Sequence, residues 1–323
     1  MSKYRVEQIG ADKFDLLIPL MKDCFSMEVD INYFHWKYIQ NPAGSFLGFI
    51  AIENETGEVG AYYGVIPQKF IIAGNEQVIY QSCDTMTHSR HRRQGLFKML
   101  AMECYEHLRK EEKLFIIGFG GADSTPGFLK FGWKHIFNFR YYFKPAFFCK
   151  FYFFRRVPLD GFIEEDIDLN LGNLLERPHT SEHIHSARTK EHILWRSKNI
   201  NYNYQFVFHR SKGVIQGYAL YYIQDKKMIL FDFLYNDKKA GKALTWFLSR
   251  KVAKEHYRGV IAYCQQNGEQ AKQLKEMGFF SNPFNRGPLR ERTPFIFYST
   301  TELMNKYADP EQWQITSYDH DAL

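Results

Sequence analysis

The chain has 323 residues, long enough for two domains of ordinary size, and its 45% hydrophobic and 24% charged content matches a soluble globular protein. A net charge of +6 suits an anionic ligand such as a CoA or a nucleotide. It is too weak, with no single long basic run, to indicate nucleic acid. The five cysteines are odd in number and widely spaced, without a C-x-x-C pair, which argues against a zinc site or a disulfide framework and for reduced thiols in a cytoplasm. The start, MSKYRVEQIG, has no apolar h-region, and no run of about 18 apolar residues follows, so neither a signal peptide nor a transmembrane helix is expected.

In chain order, the patterning predicts a strand over 4–8, helices over 12–25 and 31–40, and strands over 46–53, 59–71 and 77–87. A helix over 94–110, a strand over 113–119, a short helix over 124–131 and a strand over 133–143 follow. Pro19 implies a kink or early break in the first helix, and Glu55-Thr56-Gly57 and Ala73-Gly74-Asn75 read as hairpin turns. The basic turn Arg90-His91-Arg92-Arg93-Gln94-Gly95 runs straight into a helix. Orphan N–H groups and the positive end of a helix dipole converge there, and Gly95 lets an anion approach the backbone.

The second half repeats the first. Gly95 and Gly132 stand 37 residues apart, as do Gly241 and Gly278. Lys238-Lys239-Ala240-Gly241-Lys242-Ala243 echoes the basic turn, before a helix over 241–256, a strand over 260–263 and a helix over 268–277. Tyr33 to Lys37, with Trp36, echoes His192 to Arg196, with Trp195. The repeat predicts an α/β protein of two domains, 1–145 and 186–323, each a mixed central sheet flanked by helices, joined by a connection over 146–185 with the acidic run Glu164 to Asp168. Residues 137–156, FNFRYYFKPAFFCKFYFFRR, read either as a strand and inter-domain helix burying their rings, or as an aromatic, basic surface for peripheral membrane contact.

The turn Arg92-Arg93-Gln94-Gly95-Leu96-Phe97 and the segment Phe128-Leu129-Lys130-Phe131-Gly132-Trp133 resemble the pyrophosphate loop and the Tyr-x-x-x-Gly-Phe segment of the GNAT superfamily of acyl-CoA N-acyltransferases. Phe97 stands where the family has a small residue. The resemblance covers most of both halves and implies a tandem pair of GNAT-like domains. Acyl-CoA, with acetyl-CoA first, would bind the first domain, and a degenerate second domain, with Asp237 beside its loop, would shape the acceptor cleft. It implies that backbone groups of Thr85, Met86 and Thr87 polarise the thioester carbonyl, and that the turn from Arg92 to Phe97 takes the pyrophosphate. Ser124 falls where the family often has a CoA-binding Asn, and Phe128 where it has the Tyr that protonates the thiolate.

Asp84, on the strand that would face the acceptor, is the first candidate for general base, with His88 the second. His88 and His91 are three residues apart with no third ligand visible, so no metal is expected. Gly118-Phe119-Gly120-Gly121 fails as a dinucleotide fingerprint because Asp123 stands where a third glycine belongs. Trp36 and Trp195 read as core packing or as a stacking platform for a sugar or nucleotide. The expected acceptor is a small-molecule primary amine, an amino sugar or nucleotide sugar of the kind used in surface-polysaccharide biosynthesis. Two alternatives stand beside this enzyme: a non-catalytic CoA-binding scaffold, favoured by the missing hydroxyl at Phe128, and a tandem-GNAT aminoacyl transferase using charged tRNA, disfavoured by the mild net charge.

Overall fold

Apolar and aromatic residues crowd residues 47–87, and both faces of these strands are covered, so they read as near-continuous apolar runs. The computed structural model of the chain describes residues 2–121, 124–151, 162–163, 171–175, 183–282, 286–287 and 293–321. The strands are β1 (Tyr4–Gln8), β2 (Leu47–Glu53), β3 (Val59–Ile72), β4 (Asn75–Thr87), β5 (Phe115–Phe119), β6 (Lys134–Asn138), β7 (Arg140–Pro145), β8 (Phe162–Ile163) and β9 (Ile184–Ser186). β10 (Gln205–Ser211), β11 (Val214–Gln224), β12 (Lys227–Tyr235), β13 (Gly259–Cys264), β14 (Phe280–Ser281), β15 (Pro294–Ser299) and β16 (Trp313–Gln314) complete the set. The helices are α1 (Ile18–Phe25), α2 (Ile31–Phe34), α3 (Leu96–Lys110), α4 (Thr125–Lys130), α5 (Ala146–Lys150), α6 (Gly172–Leu175), α7 (Lys190–Ser197), α8 (Lys238–Lys254), α9 (Glu269–Glu276) and α10 (Thr301–Lys306).

The first helix breaks where Pro19 stands: a 3₁₀ turn over Ala11–Leu17 gives way to α1, with proline in its first turn. The predicted helix over 31–40 is α2 followed by a π-helical turn over His35–Ile39. Both predicted hairpin turns join β2 to β3 and β3 to β4; Ala73 and Gly74 adopt φ of 50° and 77°, the twist a two-residue hairpin needs.

Two sheets form, each a β-layer flanked by helices. The first runs β1-β2-β3-β4-β5-β15-β6, with β9 paired to β3 and β16 to β9; the second runs β14-β7-β13-β12-β11-β10-β8. In each, one central pair is parallel, β4 with β5 and β12 with β13. Several elements recur at the glycine spacing. α3 and α8 open the two units. α4 and α9 end in the same cap, in which Trp133 N–H donates to Phe128 C=O and Phe279 N–H to Leu274 C=O, with Gly132 and Gly278 left-handed at φ of 92° and 79°. This six-to-one bond with a left-handed residue is a Schellman cap, and it is the physical content of the Gly-aromatic pair in each copy.

The sheets do not follow the expected division at residues 145 and 186. β7, from the first half, lies in the second sheet between β13 and β14; β15, from the second half, lies in the first sheet between β5 and β6. The predicted strand over 133–143 is therefore two strands. Only Phe139 separates β6 from β7. An antiparallel return needs a turn of about two residues, so the chain continues in one direction and crosses from one sheet to the other. The aromatic stretch splits with it: Phe139 and Tyr142 are buried, whereas Phe147, Phe148 and Phe151 on and after α5 are exposed. Its last residues, Tyr152 to Arg156, and the acidic run from Glu164 lie outside the described residues.

Trp36 and Trp195 meet across the junction of the halves. Each indole N–H donates to the other's backbone C=O at 2.7 Å, and the rings stack at 5.4 Å. Such reciprocity is the mark of a two-fold relation, here within one chain. Both rings are buried against each other, so they form no platform for a sugar or nucleotide.

A fragment covering residues 2–145 carries β7 without its sheet and lacks β15. It is expected to show no cooperative unfolding transition, and adding the 293–321 peptide is expected to restore part of the near-ultraviolet circular dichroism. A cooperative transition in the fragment alone would contradict the exchange of strands as a folding requirement.

Candidate active site

The site begins with an irregularity in β4. Gly64 of β3 pairs with Cys83 and Tyr62 with Met86, so β4 carries one extra residue between them, a β-bulge. Asp84 sits in it at φ of 46°, a left-handed conformation uncommon for a non-glycine residue. β4 and β5 pair only over Tyr80–Ser82 with Ile116–Gly118; beyond, the two parallel strands part. The bulge thus frees backbone groups at Asp84 and Thr85 from the β3 ladder where the strands open. Met86 and Thr87 rejoin the ladder, and the Thr87 carbonyl accepts from Cys24 Sγ and Arg92 Nε.

From Thr87 the chain turns through Arg90–Gly95 into α3. Arg93 and Gly95 are left-handed, at φ of 63° and 76°, and no side chain caps the helix. The amides at the start of α3 therefore point into the turn without a side-chain partner, the arrangement that receives an anion. Arg92, Arg93 and, missed from the sequence, Lys98 on the first turn are exposed around it. Gln94 is held away: its Oε1 accepts from Tyr4 OH and Lys3 Nζ on β1. Leu96 offers only backbone, since its side chain is in the core. Phe97 is accommodated by Gly127, where a Cβ would come within 2.8 Å of the Phe97 ring. A large residue at the family's small position is thus balanced by a small one on α4.

Asp84 is the hub of a buried network. Its Oδ1 accepts from Lys37 Nζ at 2.9 Å and Tyr33 OH at 3.4 Å, and its Oδ2 from Tyr38 OH at 2.7 Å. Lys37 Nζ also donates to Asp321 Oδ2 at 3.1 Å, and Gln81 Nε2 donates to Asp321 Oδ1. Burial pushes the Lys37 ammonium down, but Asp84, Tyr33 and Asp321 outweigh it and hold its pKa well above the usual lysine value. For Asp321, burial pushes up and Lys37 overcomes it, so its carboxyl stays below the usual range. Sequence reading missed Lys37, Tyr33, Tyr38 and Asp321 as a set; the signal was a lysine on an otherwise buried helical turn, which demands an acid.

The remaining candidates lie apart. His88 caps the turn after β4, its Nδ1 accepting from Arg90 N–H, with Nε2 3.8 Å from Asp23. It lies four positions along the chain from Asp84, on the far side of the bulge. Glu58 is the third donor that the sequence did not show beside His88 and His91, all within 4.8 Å. Arg90 pairs with Glu58 and the Nδ1 lone pair of His88 is engaged, so this cluster already balances its charges. Ser124 Oγ accepts from Gly121 N–H within its own turn. Phe128 lies in the core, edge-on to Phe97 at 4.9 Å and 4.7 Å from Trp133, supporting the site from beneath.

Residues 5–136 match the family model described as acetyltransferase (GNAT) domain. The chain carries a GNAT acyltransferase domain. No curated protein matches the chain. Among solved structures, it is similar to a probable N-acyltransferase of Enterococcus faecalis V583, with TM-score 0.70 and 13% identity over 92% of this chain and 72% of that one. A GCN5-related N-acetyltransferase from Anabaena variabilis ATCC 29413 follows at TM-score 0.66 and 10% identity, covering 91% and 72%. Saccharomyces cerevisiae N-myristoyltransferase with bound myristoyl-CoA follows at 0.61 and 13%, covering 93% and 79%. At these identities the likeness is one of fold, and it extends over both sheets. The family match makes this an acyltransferase enzyme, and among the described residues no helix is long and apolar enough to cross a membrane.

The second half holds a similar set of elements, a bulged strand, a parallel pair and a following helix, with a different outcome. β12 carries an extra residue opposite Leu220–Tyr221, and Asp232 stands beside it, bonded by Arg188 and Tyr218. β12 and β13 part beyond Ile229 and Ile261. There the chain's own tail enters: Cys264 bridges to Thr316, Gln265 N–H donates to Ile315 C=O, and Ser317 Oγ donates to Phe231 C=O. Beside this plug lies a cavity of about 450 Å3, lined by Arg188, Phe233, Gly268, Gln273 and Thr316 among others. The predicted loop at Gly241 is instead the first turn of α8, capped by Asp237, whose Oδ1 accepts from Ala240 N–H, and a Cβ at Gly241 would strike the Tyr235 ring at 2.9 Å.

The tail then reaches the first half, where His320 stacks on Phe119 at 4.6 Å. Burial pushes its imidazole down to about 4; Asp321 opposes this, and Arg196 and Lys37 add to it. The unfolded chain binds a proton near pH 6.5, the folded chain only near 4, so stability should fall as pH drops through that window. The slope is about 1.4 kcal/mol per pH unit per group; His192, pushed down to about 3 by burial and by Arg196 and Arg188, adds its own. Denaturant unfolding of wild type and His320→Phe between pH 7 and 5 should show a clearly shallower slope in the variant. Equal slopes would contradict a neutral, buried His320.

Proposed function

We propose that this chain transfers an acyl group, acetyl first, from acyl-CoA to a small-molecule primary amine, an amino sugar or nucleotide sugar. The observation that carries the assignment to the first half is the contrast between the two splays. The β4–β5 splay opens onto an uncapped, basic, left-handed turn, whereas the β12–β13 splay is filled by the chain's own tail. In this reading the pyrophosphate lies on the turn from Arg92 to Phe97, with Lys98 beside it. The thioester carbonyl meets the backbone freed by the bulge at Asp84–Thr85. The second half shapes the acceptor cleft.

Of the two candidate bases the geometry favours Asp84, because it lies at the bulge and His88 faces Asp23 beyond it. Two carboxylates against one ammonium leave a negative charge beside the splay. That charge attracts the acceptor's ammonium, and Asp84 receives its proton directly or through water. The thiolate leaves without a tyrosine, since Phe128 has no proton to give. Both oxygens of Asp84 are already bonded, which also favours a second reading, a CoA-binding scaffold without turnover.

Purified protein with acetyl-CoA and a panel of amines, followed by free-thiol release, separates the two readings. CoA binding with no thiol release over a broad panel favours the scaffold. Gly95→Glu should abolish CoA binding measured by calorimetry. Gly213→Glu is the control: its φ of 77° and open surroundings match Gly95, so it bears the same strain away from the turn. Undiminished affinity in folded Gly95→Glu, or equal loss in both, would remove the turn as the pyrophosphate site.

Asp84→Asn should lower turnover about 10²–10⁴-fold, the usual scale for a general base, with CoA affinity retained. An unchanged rate would pass the role to His88 or to an acceptor that arrives as free amine.

A further inference from the structure

Four phenylalanine rings form a continuous exposed patch on the second half. Phe147 and Phe148 lie on α5 and Phe151 directly after it; Phe280 lies on β14, the edge strand of the second sheet. They are 65%, 41%, 61% and 45% exposed. The rings touch in sequence, Phe151 to Phe147 at 5.4 Å, Phe147 to Phe148 at 5.5 Å and Phe148 to Phe280 at 5.0 Å. The helix beneath is fixed. Cys149 is buried in the second core, Ala146 packs against it, and the Ala146 N–H donates to the Arg258 C=O at 3.1 Å. Rigidly held aromatic side chains facing water in one cluster mark an interaction surface.

The charge around the patch selects its occupant. In sequence, residues 137–156 contain five Lys and Arg and no Asp or Glu, of which Arg155 and Arg156 lie outside the described residues. Lys144 is buried, but Lys150 stands exposed on α5 and Arg258 is exposed at its N-terminus. We infer that this face docks on an anionic membrane surface, the rings entering the headgroup–acyl boundary and the basic residues facing acidic lipid. A second copy of the chain fits less well, because patch against patch would bring two basic surfaces together. An anionic bilayer supplies both apolar depth and opposite charge. The inference stands on this face alone and does not depend on the acyl-transfer reading.

The test is co-sedimentation of the full chain with phosphatidylcholine vesicles, with and without about 30% phosphatidylglycerol, at roughly 0.1 M salt. Wild type should partition onto the anionic vesicles at least about tenfold better than onto the neutral ones. The double variant Phe147→Ser/Phe151→Ser should lose about tenfold or more of that binding. Its melting temperature should be unchanged, because both rings are already in water. Phe25→Ser, which removes an exposed ring elsewhere, should bind as wild type does. Absence of binding to anionic vesicles, or equal binding by the double variant, overturns the inference. So does a wild-type dimer in light scattering that the double variant dissolves, since a second copy would then be the occupant.

Discussion

The buried ammonium of Lys37 sets the terms for the rest of the structure. Taking a charge out of water costs several kcal/mol even after relaxation, and only close counter-charges repay it. Lys37 finds them on two distant segments, Asp84 in the β4 bulge and Asp321 near the end of the chain. The bulge in β4 is therefore braced by the same ammonium that holds the tail. Breaking either pair leaves charge stranded in the interior, which is far more damaging than losing a surface ion pair. The tail, in turn, reaches Lys37 by way of β15, α10 and β16, which lie on the first sheet or beside it although they come from the second half.

The two-fold relation of the halves is written in the reciprocal Trp36–Trp195 bonds, in the matching Schellman caps and in a carboxylate at each bulge, Asp84 and Asp232. The chain has one C-terminal tail and two splays. That tail pairs along the second splay through Ile315, Thr316 and Ser317, and at the first it makes only the terminal contacts of His320 and Asp321. The difference between the halves thus follows from connectivity more than from the loss of individual residues. A glycine at 241 looks like a phosphate-loop glycine in sequence, yet Tyr235 lies against it; Gly95 has open space on its Cβ side.

What was legible in the sequence is what is local. The hairpin glycines, the break at Pro19, the basic turn before α3 and the two Gly-aromatic caps each rest on the backbone preferences of a few neighbouring residues. The exchange of β7 and β15 was not legible, because an apolar strand reads the same whichever sheet it joins. The one-residue gap at Phe139 that marks the crossing shows only in the structure. Asp84 was singled out because it lies on β4, and the structure shows it bonded in a buried network. Its partners Lys37 and Asp321 were not, because ion pairs spanning 47 and 284 residues leave no periodic signal. Trp36 and Trp195 were found by repeat but misread in one alternative: two matched aromatics on a symmetry axis stack on each other.

The exchange of strands also constrains how the site can move. In proteins whose domains meet at a simple interface, a cleft opens by hinge rotation. Here β15 is laddered to both β5 and β6, and β7 to both β13 and β14, so pulling the sequence halves apart would tear one inner strand from each sheet. Opening of that kind costs a large part of the folding free energy, which for a whole domain is only about 5–15 kcal/mol. The crossing strands therefore tie the sequence halves together, and the bulge, the α3 turn and the tail are held by the chain's own bonds. Such preorganisation is what acyl transfer needs, since the carbonyl must meet donors already in position and an amine at near-attack distance. The motion left to the site is local: side chains at the mouth of the splay, and the last residues of a tail held by Lys37, Gln81 and the ring of Phe119.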